Sequence, residues 1–117
     1  MKRLLLIMLL LAGCSTHAEE SLKVSIDVSK TQLEEFEPVT ITSTISYNGE
    51  PIAQNAEIEF EFINPNGQSI GTVKPTNNDD GSYSIETSFD GTGTYKIIAH
   101  VDYEKLHEMP EVEVELK

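Results

Sequence analysis

From residue 22 onward the chain alternates between apolar and polar positions. Val24, Ile26 and Val28 share one parity, with Ser25, Asp27 and Ser29 on the other. Val39, Ile41, Ile45 and Tyr47 are interleaved with Thr and Ser. Ile58, Phe60 and Phe62 alternate with Glu57, Glu59 and Glu61. Tyr83, Ile85 and Phe89 follow, then Tyr95, Ile97, Ala99 and Val101, then Val112, Val114 and Leu116 between Glu111, Glu113 and Glu115. A period of two with one apolar face predicts half-buried antiparallel strands. Ile70 to Val73 predicts a short additional strand, and 31–37 has room for one helical turn at most.

Turn-forming residues separate these runs: Asn48-Gly49, Asn64-Pro65-Asn66-Gly67, Asp79-Asp80-Gly81 and Asp90-Gly91-Thr92-Gly93. About seven strands at roughly ten-residue spacing predict an all-β fold, an immunoglobulin-like antiparallel β-sandwich over residues 22–117. Phe60, Phe62, Tyr83, Phe89 and Tyr95 are its expected aromatic core. Tyr95, at the start of the sixth strand, is either a tyrosine corner or an ordinary core aromatic.

The first twenty residues have a different character. Lys2 and Arg3 precede the aliphatic run Leu4 to Leu11, and Ala12-Gly13 precede Cys14. Charge, apolar core and small exit residues mark a signal peptide, and the run is far shorter than the roughly 20 residues that span a bilayer. Leu11-Ala12-Gly13-Cys14 resembles the lipobox of bacterial lipoproteins. That resemblance implies a signal peptide over 1–13 and a diacylglyceryl group on the Cys14 thiol. It also implies a short polar tether over 14–21 and a place on the outer face of the bacterial cytoplasmic membrane, held there by lipid. Two acyl chains anchor stably where one is marginal.

Cys14 is the sole cysteine among 117 residues, so no intrachain disulfide can form. The formal net charge is −12, and loss of Lys2 and Arg3 with the leader takes the mature chain to −14. This opposes nucleic-acid binding, which needs clustered Lys and Arg. It equally opposes attachment of the protein body to anionic headgroups.

No Gly-x-Ser-x-Gly, His-Glu-x-x-His or phosphate loop is present, and the chain is expected to be no enzyme. Asn77 to Gly81 is rich in oxygen donors but lacks the alternating spacing of a calcium loop and reads as a turn. The distinctive chemistry lies in His107-Glu108-Met109-Pro110. Imidazole with thioether suits Cu(I), a soft cation. Pro110 biases Met109 toward extended backbone, where His107 and Met109 point to the same side. His100 is the natural third donor. Its parity sends it outward beside Ile98 and Asp102, so a hairpin loop over 103–109 must fold back over that face to reach it. Asp102, Glu104 and His17 are other donors within range. A plainer reading stands beside this one. Met109 caps the core, His107 is a loop residue, and His100 bonds across strands to a glutamate such as Glu113. Ile63 and Ile98, apolar on faces expected to be wet, would mark a protein contact.

Further stretches carry a family resemblance. They are Gly49-Glu50-Pro51-Ile52, Ala56 to Phe60, Asp80-Gly81-Ser82-Tyr83, Gly93-Thr94-Tyr95, His100-Val101 and His107-Glu108-Met109-Pro110. Together they resemble the YtkA-like domain, related to FixH-like proteins, from about Leu22 onward. The resemblance implies an immunoglobulin-like sandwich outside the membrane, with copper as the cofactor and a role in assembling a respiratory oxidase. The lack of a second membrane helix departs from the FixH-like pattern. Two expectations follow: a copper-binding accessory protein with metal ligands His107, Met109 and His100, or a metal-free interaction or adhesion module.

Overall fold

The computed structural model describes residues 21–117. The predicted signal peptide, Cys14 and His17 lie outside the described residues. The described residues form eleven strands: β1 (Leu22–Val28), β2 (Gln32–Leu33), β3 (Val39–Tyr47), β4 (Glu50–Pro51), β5 (Ala56–Ile63), β6 (Ser69–Val73), β7 (Thr76–Asn77), β8 (Ser82–Thr87), β9 (Gly93–Tyr103), β10 (Leu106–Glu108) and β11 (Glu111–Leu116). One sheet has the order β1-β3-β8-β7, with β4 on β3. The other has the order β2-β11-β9-β5-β6, with β10 on β9. All pairs are antiparallel except β11 with β2. The longer strands are the predicted ones, β6 is the predicted additional strand, and the rest are two- or three-residue edge pieces. No helical turn forms over 31–37, where β2 and a turn stand instead.

The alternation seen in the sequence is the inside–outside pattern of the sandwich. Ile41 and Ile45 of one sheet face Phe60, Ile97, Ala99 and Val101 of the other, all fully buried. Burying a side chain such as Phe60 contributes about 2–3 kcal/mol. The five predicted core aromatics are all buried, and Phe89 packs between Phe62 and Tyr95 at ring separations of 5.8 and 4.7 Å. Ser43 is the one buried polar residue among those described, and its hydroxyl donates to the Ser25 carbonyl at 2.8 Å.

Two corners fix how the strands meet. The Tyr95 hydroxyl lies 2.7 Å from the Asp90 carbonyl and 3.1 Å from that of Gly91. This tyrosine corner ties the β8–β9 connection to the strand that follows it. Gly81 (φ +93°) opens β8 where a Cβ would stand 2.7 Å from the Pro51 Cβ. At that position both the backbone angle and the close approach of β4 require glycine.

Candidate functional site: the outer face of β9, β10 and β11

The strand β9 runs through the centre of the larger sheet. Because Tyr95, Ile97, Ala99 and Val101 are buried, its alternate residues Lys96, Ile98, His100 and Asp102 face outward. On one side lies β5, with Glu59 opposite His100 and Glu61 opposite Ile98. On the other side the chain differs from the expected open loop over 103–109. It reverses tightly after Tyr103, through Glu104 at φ +58°, and Leu106 pairs straight back with Tyr103.

From that turn β10 runs along β9, with His107 opposite Asp102 and Glu108 opposite Val101. The register resumes unshifted in β11, with Glu111 opposite Ile98. Met109 and Pro110 fill the two intervening places, opposite His100 and Ala99. The Ala99 amide donates to the Pro110 carbonyl at 2.9 Å, as that register requires. Proline returns no N–H bond, so the ladder is interrupted there without a slip. The last two strand pieces are one strand with a proline in it.

This arrangement brings the three predicted metal ligands onto one face. Outward parity places His107, Met109 and Glu111 in line along the strand, and Met109 stands beside His100. The loop need not fold over the sheet, because it extends the sheet. The His100 and His107 ring centroids are 6.4 Å apart, with planes inclined by 36°. Met109 is 50 % exposed and caps no core.

Each imidazole is held by a carboxylate. His100 Nε2 lies 2.8 Å from Glu61 Oε1, and His107 Nδ1 lies 2.6 Å from Asp102 Oδ1. An ionised carboxylate only accepts, so the ring nitrogen donates in each pair. His100 therefore bonds to Glu61 on β5 and not to Glu113 on β11. The Glu61 carboxyl is held below the usual carboxylate range, first by the Ser69 hydroxyl and then by His100. With one nitrogen turned to a carboxylate, the nitrogen of each ring left to meet a ligand is His100 Nδ1 and His107 Nε2. A histidine oriented by a carboxylate is the usual outer-shell arrangement of a metal ligand.

Next to His100 lies a shallow cleft of about 140 Å³, lined by Glu57, Glu59, Lys74 and Asp102 among others. Among the described residues no three of His, Cys, Asp and Glu are placed to hold an ion. A metal site on the two histidines would need a donor of another kind, and the side chain next in register is the Met109 thioether. Two imidazoles on one ion have ring centroids about 5–6 Å apart, given metal–nitrogen bonds near 2 Å. The observed 6.4 Å lies just beyond that range, so the rings would have to close by a few tenths of an ångström to share an ion. Glu104 is taken up in the turn, while Asp102 serves His107.

The remaining candidates fall elsewhere. Ile63 and Ile98 are half-buried between their neighbours on the outer face. In Asn77 to Gly81, Asn77 Oδ1 accepts from the Asp79 amide and Asp80 Oδ1 from the Ser82 amide and hydroxyl, which is turn capping. Glu61 was not recognisable as the partner of His100 from the sequence. Its outward parity is legible, but that β5 lies beside β9 is not.

A family model described as YtkA-like matches residues 16–100. Among curated proteins nothing matches the sequence. Solved structures share the fold, three of them as follows. The soluble domain of PmoD from Methylocystis sp. ATCC 49242 (Rockwell) is 13 % identical, with a TM-score of 0.56 over 80 % of this chain and 90 % of that one. A conjugative transposon lipoprotein from Bacteroides eggerthii is 12 % identical, with a TM-score of 0.53 over 80 % and 95 %. A superoxide reductase (neelaredoxin) from Ignicoccus hospitalis is 11 % identical, with a TM-score of 0.51 over 90 % and 86 %.

Proposed function

The chain belongs to the YtkA-like family, and on that premise we propose that it is an extracytoplasmic, lipid-anchored binding protein that carries copper for a membrane partner, a respiratory oxidase. It acts by binding and not by catalysis. The observation that carries this reading is the pair of imidazoles 6.4 Å apart on one face, with Met109 next in line to both. His100 Nδ1, His107 Nε2 and the Met109 sulfur would hold the ion, with Glu61 and Asp102 orienting the rings. Two neutral nitrogens and a thioether form a soft, uncharged set suited to Cu(I). The acidic body adds a diffuse attraction for cations. The acyl groups on Cys14 would keep the domain at the membrane while its charge holds the body off anionic lipid.

A metal-free interaction module is the competing reading. The observation on its side is that each imidazole already has a carboxylate partner. One titration separates the two. Reduced protein is titrated with Cu(I) against a chromophoric chelator, alongside His107→Ala, Met109→Ala and the double variant. The copper reading expects each single change to weaken binding about tenfold or more, as even outer-shell changes at metal sites do. A wild type that competes no better than the double variant removes it. Anchoring is tested separately: the mature N-terminus should be an acylated Cys14 by mass spectrometry, and Cys14→Ser should leave the membrane fraction.

A further inference from the structure

The strand that carries His107 and Met109 has a free edge. Among the described residues the only strand that pairs on that side is β2, which meets Glu115 and Leu116 and no further. The direction of the free backbone groups follows from bonds already in place. The Glu115 and Lys117 amides donate to Thr31 and Leu33, away from β9. Pro110, of the other parity, gives its carbonyl to β9. Odd-numbered residues of this strand therefore turn their N–H and C=O groups to the outer edge. At His107, Met109, Glu111 and Glu113 these groups meet no backbone partner among the described residues. Eight residues, 106–113, thus form an open strand edge, and three of them are glutamates with no Lys or Arg.

We infer that this edge is a docking site for an extended, basic segment of a partner protein, which adds as a further strand beside residues 106–113. Unpaired strand edges bind extended chains through main-chain hydrogen bonds, and alternate side chains supply specificity. Like charges facing each other across strands repel, so Glu108, Glu111 and Glu113 disfavour pairing with a second copy and favour a cationic strand. The free edge of β1, seven residues that pair only with β3, carries Lys23 and the single acid Asp27 and so lacks the negative charge that draws a basic strand. A second rival is the edge of β6. It has five residues, and its register against β5 breaks between Phe62 and Ile63, a bulge of the kind that blunts edges.

Cross-strand neighbours lie about 4.5–5.5 Å apart, so alternate residues of a docked strand would stand beside His107 and Met109. A soft donor there would complete the copper ligand set and offer the ion a route into the partner. This last point rests on the copper reading; the docking does not.

The test uses the full-length chain in detergent, without metal. The probe is the fluorescent peptide acetyl-Lys-Val-Lys-Met-Lys-Val-Lys-amide. Docking expects saturable binding and amide hydrogen-exchange protection appearing at His107, Met109, Glu111 and Glu113. The same peptide with its outward amides N-methylated should lose at least tenfold in affinity, and one with Glu for Lys should not bind. Glu111→Pro removes an outward-facing N–H while leaving the bonds to β9, and should weaken binding tenfold. Glu111→Lys with Glu113→Lys should do the same if the proline variant is unfolded. Equal binding of the N-methylated peptide, protection at Leu22–Val28 or Ser69–Val73 in place of the four amides, or protection of the four amides before peptide is added would each overturn the proposal. Cu(I) affinity of Glu111→Pro is measured in parallel. In the wild-type chain, Cu(I) binding without peptide binding refutes the docking alone, and peptide binding without Cu(I) binding refutes the copper reading alone; in Glu111→Pro, docking expects weakened peptide binding.

Discussion

Replacing Tyr95 with Phe isolates the bond at the corner of the fold. The ring is 5 % exposed and stacks 4.7 Å from Phe89, and a Phe ring fills the same space. What is lost is one hydroxyl, 2.7 Å from the Asp90 carbonyl and 3.1 Å from that of Gly91. A single O–H donates one shared bond, with a net value of about 0.5–1.5 kcal/mol. The two carbonyls belong to a connection at the protein surface, so water can reach them and the full penalty for an orphaned buried acceptor does not apply. The expected loss is therefore about 1 kcal/mol, or roughly 4–8 °C in Tm for a domain of this size. Urea unfolding followed by circular dichroism at matched m-values measures it. A change below about 0.3 kcal/mol would mean the hydroxyl exchanges freely with water and the corner is incidental. A loss above about 3 kcal/mol would mean that the ring repacks, contrary to the argument. Cu(I) affinity of the folded variant should equal that of wild type, because His100 and His107 are held by Glu61 and Asp102 and not by this corner.

Other perturbations test other parts of the chain. Phe36 has φ +67° and is 64 % exposed, so Phe36→Gly relieves a left-handed backbone while losing little contact. A gain of about 0.5–1 kcal/mol is expected in thermal melts, and a loss would show that its contacts outweigh the strain. Gly81→Ala places a Cβ against Pro51 at an angle alanine resists, and should cost about 2 kcal/mol or more; a neutral melt would show that β4 yields. The Asp80 carboxyl is held below the usual range, first by the Ser82 hydroxyl and then by the Ser82 amide. Its folded pKa is depressed, so its stabilisation is complete above the unfolded value near 4 and is lost as pH falls through the lower folded value. The advantage of wild type over Asp80→Asn in urea melts should hold at pH 6 and shrink toward pH 2, and an advantage independent of pH refutes it.

The strands were legible because burial on one face is a local property. Val39 to Tyr47 and Ile58 to Phe62 state their own inside and outside. Asn48 and Gly49, with φ of +51° and +87°, form the tight turn between Tyr47 and Glu50 that the dipeptide predicts. The hairpin at Glu104 was not legible, because nothing in Tyr103-Glu104-Lys105-Leu106 marks a turn as Asn-Gly does. With that turn unseen, residues 103–109 read as a loop and His100 as a donor facing away from it.

By itself, then, the sequence determined an all-β chain, the parity of each strand and the aromatic core, and it singled out His100, His107 and Met109 as candidate ligands. Tertiary structure alone decided that β9 lies between β5 and β10, that Met109 falls opposite His100, and that Glu61 is the residue holding His100. Parity is set by each residue's own side chain against water. Adjacency is set by which strand edges close on each other, through backbone bonds that are the same for every residue and so leave little mark on the sequence.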